Sequence, residues 1–376
     1  MYSSSMQASI RVAAAGLAAL AVAMGIGRFA FTPLLPMMQD DAGVSLAQGG
    51  YLAAANYVGY LAGALWAMRP ARRDLAIRGA LLAIALTTLG MGYAHGMLAW
   101  TLLRALAGMA SAWALVHVSS WCLQELAAQG KPQLGGVVFS GVGWGIALAG
   151  VLCLALMALG ASSSQAWIAL GAFSLVATAL LWPMVKRGAE RAASAANGFV
   201  WTPEAVRLVF CYGVFGFGYI IPATFVPVMA KAIIADPAVF GWAWPLFGTT
   251  AALSTILAAR LGNRRGWIIA ALAMALGVAA PIFMPGIVGI LAAALLVGGS
   301  FMVITMAGMQ EARQVGGPAL MAAMTAAFAV GQIAGPLMVS GFAHTRGGMN
   351  AALAIAAVLL VVSAIALRRK EQPCPT

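Results

Sequence analysis

Two arginines lie inside apolar stretches of the sequence, where a charged side chain needs a specific reason. Arg28 falls within the apolar run 12–35, and Arg104 falls within the run 97–122. A charge near the middle of a bilayer is costly unless it faces a cavity or a partner. The central parts of the apolar runs contain no acidic residue that could pair with either arginine. Because guanidinium groups bind carboxylates and phosphates through paired hydrogen bonds, the sequence predicts an anion-binding site.

Helical spacing adds further candidates around these two arginines. Tyr212 precedes Tyr219 by two turns, and Thr325 and Phe328 share the helix face of Gln332. We expect the substrate-binding side chains to be Arg28, Arg104, Tyr219, Gln332, Trp144, Asn56, Tyr60, Phe31, Tyr212, Thr325 and Phe328. For each arginine the alternative is a structural hydrogen bond to backbone carbonyls or to Asn56. For the tyrosines the alternative is aromatic packing.

The composition excludes a soluble globular domain. Of the 376 residues, 63% are hydrophobic and 8% are charged, and the mean hydropathy is +0.95. A helix needs about 20 apolar residues to cross the bilayer core. We therefore predict an all-α membrane protein with twelve spans, at 12–35, 47–67, 77–95, 97–122, 135–158, 165–184, 205–229, 239–259, 266–285, 287–309, 319–341 and 349–367. With no nucleophile–base set, metal spacing or phosphate loop in the sequence, we expect no enzyme, cofactor or metal.

The net charge of +12 is interpreted as a topology signal and not as a nucleic-acid-binding surface. Basic residues cluster after the even-numbered spans, at Arg69, Arg72, Arg73 and Arg78, at Lys186, Arg187 and Arg191, and at Arg260, Arg264 and Arg265. The positive-inside rule then predicts both termini on the cytoplasmic side of a bacterial inner membrane. The expected partners are a small-molecule substrate and the lipid bilayer, and we expect a monomer that binds no nucleic acid.

The chain also contains an internal repeat at a shift of 191 residues. The segment 25–28 falls on 216–219, Pro36 falls on Pro227, and the segment 50–51 falls on 241–242. We predict a six-helix bundle over 1–184, a cytoplasmic linker over 185–203, and a second six-helix bundle over 204–376. Thr202 and Pro203 are expected to begin the seventh helix. Transporters built from parallel repeats bind substrate between the two halves.

Two glutamates at the ends of the fourth and tenth spans are candidates for a gate. Glu125 and Glu311 correspond at a shift of 186 residues and lie near the basic loops. We interpret Glu125 with Arg69, Arg72 or Arg73, and Glu311 with Arg260, Arg264 or Arg265, as a latch that breaks when the inner gate opens. Solvated helix ends are the alternative interpretation.

Local motifs resemble those of the major facilitator superfamily (MFS). The segment Arg104-Ala-Leu-Ala-Gly108 resembles its fourth-helix pattern, and Gly331-Gln332-Ile-Ala-Gly335-Pro336 resembles its antiporter pattern. The loop from Arg260 to Gly266 resembles a degenerate form of its basic loop motif. The segment Gly25-Ile-Gly-Arg-Phe-Ala-Phe-Thr-Pro-Leu-Leu-Pro-Met is similar to the first-helix motif of the YbfB/YjiJ branch. The resemblance implies the MFS fold, with two pseudo-symmetric bundles and a central cavity.

Together these features predict a secondary active transporter that works by alternating access. Its substrate is expected to be a small carboxylate or an amphipathic acid bound against Arg28 and Arg104. Transport would be coupled by anion exchange or to protons. A drug-type exporter of amphipathic compounds is one alternative, and a membrane sensor or scaffold without transport activity is another.

Overall fold

The computed structural model describes residues 2–67, 72–185, 200–234, 241–258, 263–342, 345 and 347–368. Within these ranges the chain forms twelve helices, one at each predicted span. They are α1 (Tyr2–Leu20, the π-helical turn Ala21–Ile26, and Phe31–Asp41), α2 (Leu46–Trp66), α3 (Arg73–Tyr93), α4 (Met97–Ala128), α5 (Gly135–Ala158), α6 (Ser163–Leu181), α7 (Pro203–Lys231), α8 (Ala243–Ala258), α9 (Asn263–Phe283), α10 and α11 (Ile287–Phe342, divided at Gly317), and α12 (Gly348–Ala366).

Ten of the described helices are long and apolar enough to cross a membrane on their own. The other two are α2, which carries the polar side chains of Gln48 and Asn56, and α8, which has 16 residues. Both pack against helices of the other half of the chain, α2 against α11 and α8 against α5. Because protein covers part of their surface, these two helices depend less on an apolar exterior.

Several helices begin where the sequence supplies a cap. Ser45 and Ser162 form capping boxes with Gln48 and Gln165 at the starts of α2 and α6. The side chain of Thr202 accepts the N–H of Ala205 at 3.1 Å, and a proline follows at the first helical position. The predicted start of the seventh helix is therefore confirmed.

The predicted bounds are wrong for α1 and α4. The first run was placed at 12–35, whereas α1 extends from Tyr2 to Asp41. Its prolines fall within the piece Phe31–Asp41, and the helix continues past Pro36 into polar residues. The fourth run was ended at 122, whereas α4 continues to Ala128. Apolarity marks the stretch that meets lipid, and a helix can extend beyond it into water.

The helices form two groups of six, and three pairs of helices make the main contacts between the groups. The first six helices pack on one another mainly through the pairs α2–α4, α3–α6 and α1–α5, and the last six pack around α7, α9 and α10. Between the groups, α1 contacts α7, α2 contacts α11, and α5 contacts α8. At the α5–α8 crossing, a Cβ added to Gly143 would lie 2.6 Å from the carbonyl oxygen of Gly248, so small residues permit the close approach.

The two ends of the molecule differ in charge. Arg72, Arg73, Arg78 and Arg264 lie at one end, which we call the basic end, together with the starts of α3, α7 and α9. Asp40, Asp41 and Lys231 lie at the opposite end, which we call the far end, together with the ends of α1 and α7.

Candidate substrate site

A break in α1 leaves main-chain carbonyl oxygens near Arg28 free to bond with side chains of other helices. Residues 21–26 form a π-helical turn, in which the N–H of Gly27 donates to Val22 O and that of Phe29 donates to Met24 O. The N–H of Thr32 then bonds Phe29 O, and Pro33 has no N–H to donate. As a result, the carbonyl oxygens of Gly27 and Arg28 accept hydrogen bonds from side chains of α2 and α4. Breaks of this kind are frequent at functional sites.

Asn56 and Arg104 supply those hydrogen bonds. Asn56 Nδ2 donates to Gly27 O at 3.4 Å and to Arg104 O at 2.9 Å. Arg104 Nη2 donates to Arg28 O at 3.3 Å, and its guanidinium carbon lies 4.6 Å from the ring centroid of Phe31. The contact of Arg104 is therefore the backbone hydrogen bond that was the alternative interpretation. It holds α4 against the break in α1.

A glycine lets α2 and α4 approach closely enough for these bonds. A Cβ added to Gly108 would lie 1.9 Å from the backbone oxygen of Asn56. Gly59 on α2 makes the reciprocal approach, because its Cβ would lie 1.8 Å from Ala105 O. The glycine four residues after Arg104 is thus required by packing.

Arg28 is buried at the boundary between the two halves of the chain. Its side chain is 2% exposed, and its Nη2 donates to the hydroxyl oxygen of Tyr219 on α7 at 2.9 Å. The guanidinium carbon lies 4.3 Å from the ring centroid of Tyr60, 5.2 Å from that of Tyr57, and 5.1 Å from that of Phe29. Cation–π attraction stabilises this arrangement. Among the described residues, no carboxylate forms an ion pair with Arg28 or Arg104.

Tyr219 links Arg28 to the last six helices. Its hydroxyl oxygen also accepts a hydrogen bond from Gln332 Nε2 on α11. Its ring stacks on Phe301 at 5.5 Å with an interplanar angle of 4°, and on Phe328 at 5.6 Å with an angle of 7°. The result is a continuous polar chain from Arg28 through Tyr219 to Gln332, flanked by ring faces.

Four buried polar atoms in this cluster have no hydrogen-bond partner. They are the Nε atoms of Arg28 and Arg104, the Oδ1 atom of Asn56 and the Oε1 atom of Gln332. Buried polar atoms are usually paired, so these four atoms call for partners that the surrounding side chains do not supply.

The remaining predicted binding residues fall into two sets. Tyr60, Phe31, Phe328 and Tyr212 contact the cluster, Tyr212 through the ring of Phe328 at 5.3 Å. Two others do not: the hydroxyl of Thr325 bonds its own helix at Met321 O, and Trp144 is 42% exposed on a face of α5 shared with exposed Leu148 and Val151. The prediction for Trp144 rested on its depth along α5. It did not include the rotation of α5 about its axis, which turns this side chain outward.

Sequence reasoning missed several aromatic residues of the cluster. These are Phe29 and Tyr57, which lie over the guanidinium of Arg28, and Phe215, Trp244, Phe247 and Phe301, which extend the ring contacts. Phe29 and Tyr57 directly follow Arg28 and Asn56 in the chain. The break in α1 changes the angle between successive residues from that of an ideal α-helix. A helical wheel therefore left out Phe29, whose ring contacts Arg28 in the structure.

At the far end, polar contacts join the two halves. Thr32 Oγ1 donates to Ala223 O at 2.8 Å, and the hydroxyls of Tyr57 and Thr224 lie 3.3 Å apart. Lys231 forms an ion pair with Asp40. These contacts cover the Arg28 cluster from this side, and the far end is closed.

Three of the contacts between the halves join residues that are 191 positions apart. They are Arg28 with Tyr219, Thr32 with Ala223, and Asp40 with Lys231. This is the shift of the sequence repeat. Equivalent residues of α1 and α7 therefore face each other, as they do beside an approximate two-fold axis.

At the basic end, Glu311 pairs with one of its predicted partners. Arg264 donates to Glu311 through Nε at 3.1 Å and through Nη2 at 2.9 Å, and it also pairs with Glu204. Arg264 Nη1 donates to Leu367 O at 3.4 Å as well. All of these residues belong to the last six helices, so this cluster joins α7, α9 and α10 within one half of the chain.

The equivalent residues of the first half make weaker contacts. Glu125 accepts a hydrogen bond from Gln129, Arg73 donates to Gln124 at 3.4 Å, and Arg72 pairs with Asp74 at 3.5 Å. The side chain of Arg265 is exposed. Arg69 and Arg260, the other predicted partners, lie outside the described residues, as does most of the predicted linker.

Comparison with known proteins identifies the family. A family model described as "Uncharacterised MFS-type transporter YbfB" matches residues 20–368. The chain belongs to this family. This chain is therefore an MFS-type transporter, a multi-pass membrane protein with the alternating-access fold.

Solved structures share this fold at low sequence identity. A variant of the nucleoside transporter NupG is 15% identical, with a TM-score of 0.67, and the match covers 96% of this chain and 98% of that one. A bacterial homologue of the human lysosomal transporter Spinster, in an inward-facing and occupied conformation, is 14% identical, with a TM-score of 0.71 and 94% of both chains covered. No curated protein matches this YbfB-family chain in sequence.

Proposed function

We propose that this MFS-type transporter carries a small organic anion, a carboxylate or an amphipathic acid, by rocker-switch alternating access. The observation that carries the proposal is the position of Arg28. The residue is 2% exposed, and its guanidinium lies between the halves and bonds a neutral phenol where a carboxylate would be expected. A buried charge without a counter-charge is unfavourable, and a bound anion would supply that charge together with acceptors for the free N–H groups.

Tyr219 gives the proposal a mechanism. In the closed structure, its hydroxyl occupies the place on Arg28 that an anion would take. A carboxylate displaces the hydroxyl because it carries the charge opposite to that of Arg28 and offers two oxygens to the guanidinium, whereas the phenol offers one neutral oxygen. Gln332, released from the displaced hydroxyl, then donates to the anion from the other half, so that the substrate contacts both halves and favours closure around itself. Arg104 keeps α1 broken and adds positive potential at the same place.

The side chains near the proposed anion site indicate how transport is coupled to a driving force. The described side chains around Arg28 are arginine, tyrosine, glutamine, asparagine and phenylalanine, and no carboxylate is among them. A proton relay would need a group that titrates near neutral pH. We therefore favour anion exchange, or a proton that travels on the substrate itself.

Orientation in the membrane completes the proposal. With the basic end in the cytoplasm of a bacterial inner membrane, the positive-inside rule is satisfied and both termini are cytoplasmic. The closed far end then faces outward. The two bundles correspond to residues 1–184 and 204–376, joined by the linker 185–203, and one chain is the functional unit.

A thermal-melting experiment on the purified chain tests the anion site. The probes are acetate, hexanoate and benzoate, with benzyltrimethylammonium as the cationic comparison. We expect the acids, and not the cation, to raise the melting temperature, since a ligand at 100 times its Kd stabilises the folded state by about 2.7 kcal/mol. Arg28→Gln should abolish this shift. Arg11→Gln, an exposed arginine on the same helix, should leave it unchanged.

The same data separate the alternatives. Stabilisation by the cation that survives Arg28→Gln would refute the proposal and favour a drug-type exporter. Acid stabilisation that is equal in Arg28→Gln and in the unmodified chain would also refute the role given to Arg28. Acid-dependent melting without flux of the same acid in proteoliposomes would favour a sensor.

A further inference from the structure

The side chain of Tyr219 occupies the centre of the site like a bound ligand. Its aromatic ring lies between the near-parallel rings of Phe301 and Phe328, and the oxygen on its edge is held by Arg28 and Gln332. The residue is 1% exposed. The surroundings of Tyr219 thus hold a flat ring with an oxygen at its rim.

We infer that the transported anion is an aromatic carboxylate, whose ring binds against Phe301 and Phe328 while its carboxylate binds Arg28. This inference rests on the anion site proposed above. It goes further because it assigns the apolar part of the substrate to a particular surface of the last six helices.

The two halves contribute different chemistry to this site. The positive charge comes from α1 and α4, through Arg28 and Arg104. The two ring surfaces that lie near parallel to Tyr219 come from α10 and α11, through Phe301 and Phe328. When the halves separate, the charge and the ring surfaces separate with them. A molecule that has an acid group at one end and a ring at the other contacts both halves at once, as alternating access requires of a substrate.

A carboxylate fits the position of the phenol better than the phenol itself does. The hydroxyl offers one oxygen, which accepts from Arg28 Nη2 and leaves the buried Nε atom unpartnered. A carboxylate offers two oxygens, which suits the paired N–H groups on one side of a guanidinium. The acid therefore uses a donor that the closed structure leaves free.

The ring surfaces are specific for flat groups. The rings of Phe301 and Phe328 lie at 4° and 7° to the ring of Tyr219, whereas other ring pairs of the cluster meet at steeper angles, for example Phe29 and Phe301 at 67°. Near-parallel surfaces accept an offset-stacked ring, which gains energy beyond that of burying an equal apolar area. A saturated ring of the same size is thicker and cannot make this contact.

The test compares two acids of similar size and equal charge, benzoate and cyclohexanecarboxylate, by calorimetric titration of the purified full chain. We expect benzoate to bind about fivefold more tightly. Phe301→Leu and Phe328→Leu should each reduce this preference below about twofold while cyclohexanecarboxylate still binds. Phe173→Leu serves as the matched control, because Phe173 is 40% exposed on α6, and it should leave the preference unchanged.

The outcomes distinguish the two proposals. Equal binding of both acids by the unmodified chain, lost in Arg28→Gln, would overturn the aromatic assignment and leave the anion site standing. Failure of both acids to bind, or binding that survives Arg28→Gln, would overturn both proposals. The comparison of the two acids on the unmodified chain decides the question even if a phenylalanine variant fails to fold.

Discussion

The hydroxyl of Tyr219 is the single group whose removal tests most directly how the two halves are held together. Tyr219→Phe keeps the ring between Phe301 and Phe328 but deletes the acceptor used by Arg28 and Gln332. A hydrogen bond to a charged group contributes about 1.5–3 kcal/mol, and a buried donor left unpaired costs a similar amount. We therefore expect the closed state to lose about 2 kcal/mol, which is roughly a thirtyfold shift toward forms that are open at the far end.

Cysteine labelling measures this shift. A single cysteine at Ala223, which is 1% exposed beside Thr32, is introduced after the native cysteines are replaced. Its rate of reaction with a polar maleimide reports how often the far end opens. Tyr219→Phe should raise the rate roughly thirtyfold.

A matched variant shows whether the effect is specific. Tyr57→Phe removes a hydroxyl from the same region, but that hydroxyl pairs with the neutral hydroxyl of Thr224 at 3.3 Å. Loss of such a bond is worth about 1 kcal/mol or less, so the labelling rate should rise no more than about fivefold. If the two variants label at rates within about twofold of each other, the charged link through Tyr219 does not hold the halves closed.

Three further outcomes follow from the structure. Asp40→Lys should raise the same labelling rate about two- to fivefold, and the swap Asp40→Lys with Lys231→Asp should restore it; the effect is modest because the pair is partly exposed. Glu311→Gln should lower the melting temperature by several degrees, since Glu311 is buried and its partner Arg264 is only 12% exposed, whereas Glu125→Gln should not. Gly108→Ala should destabilise the chain by about 1–3 kcal/mol in a melting assay, because the added methyl overlaps the main chain of α2; unchanged melting would show that α2 and α4 can separate.

Most of the fold could be predicted because the bilayer imposes a length and a composition on each helix. The position of every helix follows from its apolar run, and the start of α7 follows from Thr202 and Pro203. The ends of α1 and α4 could not be predicted, because hydropathy does not report helix that extends into water. The division between α10 and α11 falls at Gly317, which has a positive φ, in the gap between the spans predicted at 287–309 and 319–341.

The site was only partly predictable. Arg28 and Tyr219 were singled out by the cost of a buried charge and by the repeat, and the structure brings them into contact. The contact of Arg104 with a main-chain carbonyl depends on the π-helical turn in α1, which has no sequence signature comparable to proline or a cap. The outward rotation of Trp144 follows from which neighbours α5 packs against, and this is a tertiary property. A helical wheel gives the relative angles of residues but not the direction in which the helix faces.

The pairing of repeat-related residues bears on how such a chain can arise. In a dimer of two identical halves, any residue beside the two-fold axis meets its own copy. At the positions of Arg28 and Asp40, a cation would then face a cation, and a carboxylate would face a carboxylate. The complementary pairs seen here, guanidinium with phenol and aspartate with lysine, require the two copies to differ. A chain whose two copies differ at these positions thus has attraction at the axis where identical copies would repel each other.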